Sequence, residues 1–313
     1  MTGARTAPRA DLARPARRSR YSRMEKRNLP TALLFIAPAS IGYAVFLLWP
    51  TLRGIYLSFT DTTAFNAGEL VGLENYERML TDGVFLDSFR VTLYYVLLNI
   101  GLQTVLALVV AVLMHRLTQS LVIRGLLLTP YLVSNVVAAM LFLMLLDYQL
   151  GFVNAVIDTL GLDRLMFFGS QDLVIPTVAF VNVWRHLGYT ALLIFAGLQT
   201  IPDNLYEAGR MDGASELTMF RRLTLPLLRP YLGLVLIVTM IGSFQVFDTV
   251  SVATQGGPAN SSNVIQYYIY EVAFSRSYDF GYASAMSVAL LVVLAAVSIL
   301  QFRLTRANTN DMA

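Results

Sequence analysis

The most distinctive ionisable residues in this sequence are Arg185 and His186, which interrupt the otherwise apolar run Leu173–Leu198. An arginine at membrane depth is costly, so it normally faces water, a polar partner or a solute path. Two interpretations follow. Arg185 either lines a translocation path or binds carbonyls at a loop or a helix end for structural reasons.

A second candidate site is the stretch Phe244–Glu271, in which Asp248 and Glu271 are the only charged residues. Uncharged polar groups hydrogen-bond to hydroxyls, and aromatic faces pack on the apolar faces of sugar rings. The stretch therefore suits a neutral, hydroxyl-rich ligand, although its tyrosines equally fit anchors at the membrane interface. Together with Arg185, the candidate path residues are Phe244, Gln245, Phe247, Asp248, Tyr267 and Tyr270.

Several kinds of chemistry are excluded by residues that the sequence lacks. The only lysine, Lys26, is followed by Arg27, so no Gly-rich phosphate-binding loop ending in Gly-Lys-Ser/Thr is present. There is no cysteine, and the two histidines, His115 and His186, are far apart in sequence, so neither a disulfide nor a metal cluster is expected. No Ser/His/Asp grouping or pair of membrane carboxylates is present either. The chain is predicted not to be an enzyme and to bind no cofactor or metal itself.

A third candidate is the connection Ile201–Pro226, which is more patterned than a plain polar loop. Pro202 suits the first turn of a helix, where its missing N–H would be unpaired anyway. Asp212-Gly213 is a turn signal, and Asp212 is also expected to cap the helix that follows. The pattern predicts a helix–turn–helix lying along the membrane surface.

The second of these two short helices is expected to have one apolar face. Leu217, Phe220 and Leu223 recur at a spacing of three residues, which is typical of an amphipathic helix. Pro226 and Pro230 are expected to separate this helix from the next membrane span. The charged face of the pair would then be free to contact a partner.

The composition indicates that the scaffold for these sites lies in a membrane. Of the 313 residues, 56% are hydrophobic and 14% charged, whereas a soluble domain has about 25% charged residues. Six runs approach the roughly 20 residues that a helix needs to cross a bilayer. They are Leu29–Leu52, Val91–Met114, Gly125–Leu146, Leu173–Leu198, Pro230–Phe247 and Phe280–Phe302. Because the runs are apolar on every face, they favour an all-α polytopic membrane protein with six transmembrane helices over a β-barrel.

The distribution of basic residues predicts the orientation. Of the 23 Lys and Arg residues, 17 lie in the two tails and in the connections after the second and fourth helices, and five lie in the other connections. Basic residues resist transfer across the membrane, so both termini are predicted to be cytoplasmic. The basic tail, residues 1–28, is then a retention signal with a secondary capacity for anionic lipid, and it is expected to be disordered. Its charge does not indicate nucleic-acid binding.

The patterned connection resembles a loop shared by the permease subunits of bacterial ABC importers. That loop reads Glu-Ala-Ala, three residues, Gly, nine residues, Ile, any residue, Leu-Pro. Here Glu207–Gly209, Gly213 and Leu223–Pro226 have the same spacing, with Gly209 in place of the second Ala and Leu223 in place of Ile. In the family this loop docks on the ATPase subunit, so the resemblance implies a coupling role here. The residues concerned are Glu207, Ala208, Gly209, Asp212, Gly213, Ala214, Leu225 and Pro226.

The resemblance extends from about Leu29 to Phe302 and is strongest to the maltose-type sugar permeases. It is carried by Phe244, Phe247-Asp248, Thr254–Pro258, Tyr270, Phe274 and Gly281–Ala285. It implies a MetI-like permease core and a carbohydrate cargo. It also places Gly256, Gly257 and Pro258 near an external gate where a binding protein docks.

The same resemblance implies the partners and the organisation of the chain. The partners would be a second homologous permease subunit, two ATP-binding subunits that carry ATP and Mg, and an extracytoplasmic solute-binding protein or lipoprotein, at the bacterial cytoplasmic membrane. The basic tail would be followed by the first transmembrane helix with an external loop, residues 29–90. The five-helix core would span residues 91–302, with the coupling loop at about 200–226, and residues 303–313 would form a cytoplasmic tail.

Three other functions were weighed against a carbohydrate permease. The same machine could import glycerol phosphate or a related anion, for which Arg185 would supply a cation. A secondary transporter would require an inverted repeat and membrane carboxylates, and neither is evident in the sequence. An intramembrane enzyme would require a catalytic pair, which is also missing.

Overall fold

The computed structural model describes residues 33–117 and 120–307. The predicted tail, residues 1–28, and the end of the predicted tail 303–313 therefore lie outside the described residues. The chain divides into two compact units, one ending at Gly54 and the other beginning at Ile55. All the sites discussed below belong to the second unit.

The described residues form helices joined by connections of varied length, with β-pairing limited to isolated bridges. The helices before the coupling region are α1 (Leu33–Leu57), α2 (Glu74–Thr81), α3 (Gly83–Leu117), α4 (Leu121–Leu132), α5 (Asn135–Leu145), α6 (Phe152–Thr159) and α7 (Val174–Leu198). The others are α8 (Asp203–Met211), α9 (Glu216–Met219), α10 (Leu225–Phe244), α11 (Asp248–Ala253), α12 (Ile265–Glu271) and α13 (Phe280–Ala307). Among the described residues, five helical segments are long and apolar enough to cross a membrane, and a sixth if the bent pair α4 and α5 is one span. The predicted all-α membrane fold is confirmed.

The core of the second unit is built on α3, which packs along α7, α10 and α12. Its buried residues recur every three or four positions, as in Tyr95, Asn99, Gln103, Ala107 and Ala111, so one face of the helix turns inward. With 35 residues, α3 is about 52 Å long. Its first turn lies at what we call the Asp82 end of the unit and its last at the Arg116 end.

The predicted span Gly125–Leu146 is not one straight helix, which corrects the sequence interpretation. α4 ends at Leu132, α5 begins at Asn135, and the two meet at 90°. Val133 and Ser134 are extended, with ψ angles of 135° and 145°. Hydropathy could not reveal this break, because both halves are equally apolar. The break leaves backbone carbonyls without helical partners, so groups elsewhere must supply donors.

The helix–turn–helix is present, with two corrections to its details. Ser215 caps α9 by accepting a hydrogen bond from the Thr218 N–H at 3.3 Å, in the role expected of Asp212. Pro226 and Pro230 lie inside α10, so they do not separate the coupling region from the span. A π-helical turn at Phe220–Thr224 shifts the hydrogen bonding by one residue just before Pro226, which has no N–H to donate.

The predicted apolar face of the second short helix is also different in detail. Met219 is its buried residue, at 4% exposure, whereas Leu217 is 59% exposed and Phe220 and Leu223 are half-buried. A spacing of three residues drifts around an α-helix, so Leu217 and Leu223 cannot both face the core. The helix is therefore anchored mainly through Met219.

Candidate functional site

A polar pocket lies in the middle of the helical core, between α3, α4, α7 and α10. Its volume is about 200 Å³. The polar groups of its wall come from Asn99, Gln103, Asn182, Thr190, Thr239 and Ser243. Tyr131, His186 and Tyr189 complete the polar part of the wall. Because these groups lie within membrane-spanning helices, they form a polar site at a depth where polar groups are rare.

Hydrogen bonds between helices hold the side chains of this wall in place. Asn99 Nδ2 donates to Ser243 Oγ at 2.8 Å and to Gln103 Oε1 at 3.2 Å. Gln103 Nε2 donates to Thr190 Oγ1 at 2.7 Å. Ser243 Oγ donates in turn to the carbonyl of Thr239 at 2.7 Å. The network therefore ties α3 to both α7 and α10.

The pocket wall is uncharged. None of its lining residues, all of which lie in the described part of the chain, is Asp, Glu, Lys or Arg. The histidine is neutral by its partners, because Arg185 Nη1 can only donate to His186 Nε2, at 2.9 Å. His186 Nδ1 then carries the proton and donates to the Asn182 carbonyl at 3.0 Å. Such a wall offers donors and acceptors to a neutral solute and no counter-charge to an ion.

Arg185 does not line this pocket but lies behind it, at the break between α4 and α5. Its Nε donates to the Val133 carbonyl at 2.7 Å, and Nη2 donates to the Tyr131 carbonyl at 3.2 Å. The side chain is half-buried. This geometry is that of the structural alternative, in which the arginine binds helix-end carbonyls.

Three of the other predicted path residues form a separate group near the Asp82 end. Phe247, Tyr267 and Tyr270 make an aromatic cluster, with centroid distances of 5.1 Å for Phe247 to Tyr270 and 6.2 Å for Phe247 to Tyr267. Phe244 is buried and Gln245 is exposed. None of the seven predicted path residues lines the polar pocket. The structure thus brings the aromatic residues together without joining them to the pocket.

Asp248 has a specific partner of its own. One of its carboxylate oxygens, Oδ2, accepts a hydrogen bond from Asn135 Nδ2 at 2.7 Å. Asn135 is the first residue of α5, so Asp248 binds the second half of the broken helix. Its predicted role in the path therefore competes with a visible structural role.

The sequence interpretation missed most of the pocket because, within the membrane spans, it searched only for charged residues. Asn99 and Gln103 are four residues apart in the apolar run Val91–Met114, and this spacing places them on one face of a helix. Thr239 and Ser243 repeat the pattern in α10. Uncharged polar pairs at a spacing of four residues inside apolar spans were the available signal.

The predicted gate loop is tightly folded and only partly accessible. Gly256 has a φ of +81° and is buried, and a Cβ there would lie 3.2 Å from Tyr267 Cε1. Gly257 and Pro258 are half-buried, whereas Gln255 and Asn260 are exposed. A docking partner would reach those exposed neighbours before the glycines.

The predicted coupling residues lie at the Arg116 end of the unit. Glu207, Ala208, Asp212 and Gly213 are exposed on α8 and the turn that follows, and Ala214 is half-buried. Leu225 and Pro226 begin α10 and are also half-buried. The first six predicted coupling residues are therefore neighbours, and the last two form the base of the span.

Packing explains why the chain has glycine where the resembled loop has its second alanine. A Cβ on Gly209 would lie 3.2 Å from Met219 Sδ and 3.4 Å from Met219 Cγ. The small residue therefore leaves room for Met219, the buried side chain of α9. Tyr206 fixes α8 further, because its hydroxyl lies 3.0 Å from Thr224 Oγ1.

Charges surround a cavity of about 430 Å³ between the last turn of α3 and α8. Arg116 Nη2 lies 2.7 Å from Glu216 Oε2, and Arg210 Nε lies 3.9 Å from Glu216 Oε1. These groups are largely exposed, so each pair contributes at most about 1 kcal/mol. Glu207 also lines the cavity and, among the described residues, belongs to no ion pair. Its charge is available to a partner.

At the opposite end, Asp82 joins three helices. Its Oδ2 accepts hydrogen bonds from the hydroxyls of Tyr268, at 2.6 Å, and Tyr282, at 2.7 Å. Oδ1 accepts from the backbone N–H of Val84 at 2.9 Å. Burial alone would raise the pKa of Asp82, but these hydrogen bonds outweigh burial and hold the pKa below its usual value. The ionised carboxylate thus fastens α12 and α13 to the start of α3.

Comparison with known proteins gives consistent matches over nearly the whole chain. Residues 103–310 match the family described as "Binding-protein-dependent transport system inner membrane component". The sulfoquinovosyl glycerol transport system permease protein SmoG of Agrobacterium fabrum is 32% identical, covering 96% of this chain and 98% of SmoG. The trehalose/maltose transport system permease protein MalF of Thermococcus litoralis is 30% identical, covering 91% of this chain and 97% of MalF.

Solved structures show the same fold. A chain of a bacterial ABC transporter that imports the acidic polysaccharide alginate superposes with a TM-score of 0.79 at 22% identity, covering 92% of this chain and 99% of that one. The same transporter in complex with an alginate pentasaccharide-bound periplasmic protein superposes equally well, with a TM-score of 0.79. The chain therefore shares its fold with these two chains.

Proposed function

Since this chain belongs to the family of inner membrane components of binding-protein-dependent transport systems and is a transport permease, we propose that it supplies half of an import path for a neutral carbohydrate. The observation that carries the substrate class is the uncharged polar pocket between α3, α4, α7 and α10. Hydroxyl-rich solutes need many neutral donors and acceptors, and the wall provides amides, hydroxyls and a neutral imidazole.

The size of the pocket supports a shared path. Its volume of about 200 Å³ is smaller than the roughly 300–1,000 Å³ of a complete small-molecule site. A second homologous permease subunit would supply the other half. The aromatic cluster of Phe247, Tyr267 and Tyr270 would lie near the entrance, where sugar rings can stack on aromatic faces.

An anionic cargo such as glycerol phosphate is the alternative, and the names of the relatives and structures cover acidic as well as neutral solutes. An anion in this pocket would require a fixed cation in its wall. Arg185 is the cation that the sequence analysis assigned to an anionic cargo. In the structure, however, its guanidinium is directed to carbonyls of the broken helix. This arrangement favours a neutral cargo.

In this proposal the other subunits of an ABC importer hydrolyse ATP and deliver the solute to this chain. The chain is an integral membrane protein, and we place it in the bacterial cytoplasmic membrane with both termini in the cytoplasm. Of the two ATP-binding subunits that carry ATP and Mg, one would dock on Glu207–Ala214 of this chain. An extracytoplasmic binding protein would dock at the Asp82 end, near the loop Gly256–Pro258. The organisation into residues 29–90, 91–302 and 303–313 belongs to the same proposal.

The orientation can be tested with single cysteines, since the natural sequence contains none. Met211→Cys, at an 89% exposed position beside the coupling turn, and Phe65→Cys, at an 89% exposed position near the Asp82 end, are suitable sites. In intact cells a membrane-impermeant maleimide should label the Phe65→Cys variant and should label the Met211→Cys variant only after lysis. The reverse pattern would invert the topology.

The pocket can be tested with Asn99→Leu and Thr190→Val, which remove polar groups with little change of size. Each variant removes a polar group that would bind a hydroxyl of the cargo, and a buried hydroxyl left without a partner costs about 1–3 kcal/mol. The apparent KM for import should therefore rise about tenfold or more. The measurement is uptake of maltose, trehalose and sn-glycerol 3-phosphate into proteoliposomes with the assembled importer and its binding protein.

Leu97→Met is the matched control, because Leu97 lies on the exposed face of the same helix. It should leave the KM unchanged. Uptake of glycerol phosphate but of neither sugar by the unmodified importer would replace the proposed cargo with the anionic one. Normal sugar uptake by both pocket variants would remove the pocket from the path.

A further inference from the structure

We propose that Arg185 and Asp248 are positioning residues that hold the two halves of the broken helix α4–α5 and thereby set the shape of the pocket wall, without contacting cargo. We call the contacts of Arg185 and Asp248 with the two halves the clamp. Its role in import rests on the function proposed above, whereas the contacts themselves do not. Both residues are charged, and each has a hydrogen-bond partner at the break. The geometry assigns each to one side of the break.

Arg185 binds the first half of the broken helix. α4 ends at Leu132, where the last carbonyls have no helical partners and carry the negative end of the helix dipole. The guanidinium supplies two donors, Nε to the Val133 carbonyl and Nη2 to the Tyr131 carbonyl. A planar fork can satisfy two carbonyls at once, which a single ammonium cannot do in the same geometry.

Asp248 binds the second half. α5 begins at Asn135, and its first turn carries the positive end of the helix dipole. The Asp248 carboxylate, at the start of α11, accepts a hydrogen bond from the Asn135 side chain at 2.7 Å. The two charges therefore match the two opposed helix ends at the break, with the cation at the carbonyl end and the anion at the amide end.

The clamp reaches the pocket through Tyr131 and His186. The Tyr131 ring stacks on the Tyr189 ring, with centroids 4.6 Å apart and planes 10° apart, and both rings line the pocket. Arg185 holds the backbone of Tyr131 and also donates to His186 Nε2 at 2.9 Å. It thus fixes two wall residues from behind while staying outside the wall itself.

The alternative is that Arg185 attracts an anion. All three of its nitrogens are already bonded to protein acceptors, namely two carbonyls and an imidazole. The two roles predict different behaviour of Arg185→Lys. An anion site should keep much of its function with lysine, whereas a clamp should lose it because the two-carbonyl fork is gone.

The test measures the angle of the break directly. Spin labels on Leu121→Cys and Met144→Cys report the distance between the outer ends of α4 and α5. Both positions are exposed, and the natural chain has no cysteine that would also be labelled. The two helical arms are about 18 Å and 15 Å long, so the backbone span is about 23 Å for the right-angle bend and about 33 Å for a straight helix. The distance between the two labels is measured in the assembled importer by pulsed electron–electron double resonance.

We expect a narrow distance distribution for the unmodified chain and a broader or longer one for Arg185→Lys and Asp248→Leu. Asp248→Asn should keep the narrow distribution, because its amide oxygen still accepts from Asn135. Arg164→Lys is the matched control, since Arg164 also donates to a carbonyl, that of Gln149 at 3.1 Å, but lies away from the pocket. Uptake should follow the distances, with the apparent KM raised at least fivefold in the two disruptive variants.

Unchanged distances in Arg185→Lys and Asp248→Leu would overturn the clamp. If Arg185→Lys does not assemble, the Asp248→Leu and Asp248→Asn pair still decides the outcome. The distance readout requires no cargo, so it separates the two proposals. An importer that carries no sugar but loses its bend in these variants would refute the proposed substrate and support the clamp.

Discussion

Replacing Gly213 with valine should abolish coupled transport while the permease stays folded. Gly213 lies at the turn between α8 and α9 with a φ of +77°. A residue with a Cβ pays about 1–2 kcal/mol in that region, and a β-branched one pays more. Among the described residues, no atom outside Gly213 and its two chain neighbours lies within 4 Å of a Cβ placed there, so the local cost is conformational. We expect import to fall at least tenfold, measured together with ATP hydrolysis and retention of the ATPase subunits.

Two further variants separate backbone conformation from contact with a partner. Gly213→Asn tolerates a positive φ, so it should transport better than Gly213→Val. Gly161→Val is the matched control, because Gly161 has a φ of +73° and lies away from the coupling turn. In the described part of the chain, a Cβ there would also meet no residue within 4 Å except the chain neighbours. Glu207→Lys probes the same face without altering the turn and should weaken ATPase retention. Normal import by both Gly213→Val and Glu207→Lys would reduce this turn to a tether.

The second large effect is expected from Gly188→Ala, which should prevent α4 and α7 from packing. A Cβ on Gly188 would overlap the carbonyl oxygen of Leu127, a backbone atom that cannot rotate away. The helices would have to separate beside the pocket, at a cost of about 3 kcal/mol or more. The expected result is a marked loss of thermal stability and yield of the purified complex, followed by intrinsic fluorescence.

The control for Gly188 is another helical glycine in open surroundings. Gly125 lies in α4, and apart from its own helix backbone and chain neighbours no described residue comes within 4 Å of a Cβ placed there. Gly125→Ala should be neutral or stabilise the helix by up to about 1 kcal/mol. A Gly188→Ala complex as stable as the unmodified one would show that the two helices pack less closely than described here.

Features with a strong local signal were predictable from sequence. The membrane helices follow from long apolar runs, and the coupling turn follows from the Asp212-Gly213 signal and the spacing of the loop. Gly213 does have the positive φ that a turn glycine permits. These properties depend on residues near one another in the chain, so a single sequence contains the information.

Features that depend on partners distant in sequence were not predictable. Arg185 was recognised as unusual, but its partners Tyr131 and Val133 are more than 50 residues away. The break at Val133 could not be predicted from hydropathy either, because the side chain that binds it, Arg185, comes from another helix. The pocket was missed because Asn99, Gln103, Thr190 and Ser243 become a site only when three helices meet.

The long helix α3 has a mechanical consequence. Its midpoint lies at the hydrogen bonds of Asn99 and Gln103, while Asp82 fastens one end to α12 and α13 and Arg116 binds Glu216 at the other. A rigid bar about 52 Å long, pivoted at its middle, moves its two ends by about 2 Å in opposite directions for a tilt of about 5°. A displacement of the turn at Gly213 would therefore tilt α3 and move its Asp82 end by a similar distance in the opposite direction. The polar pocket, at the middle of α3, would move little.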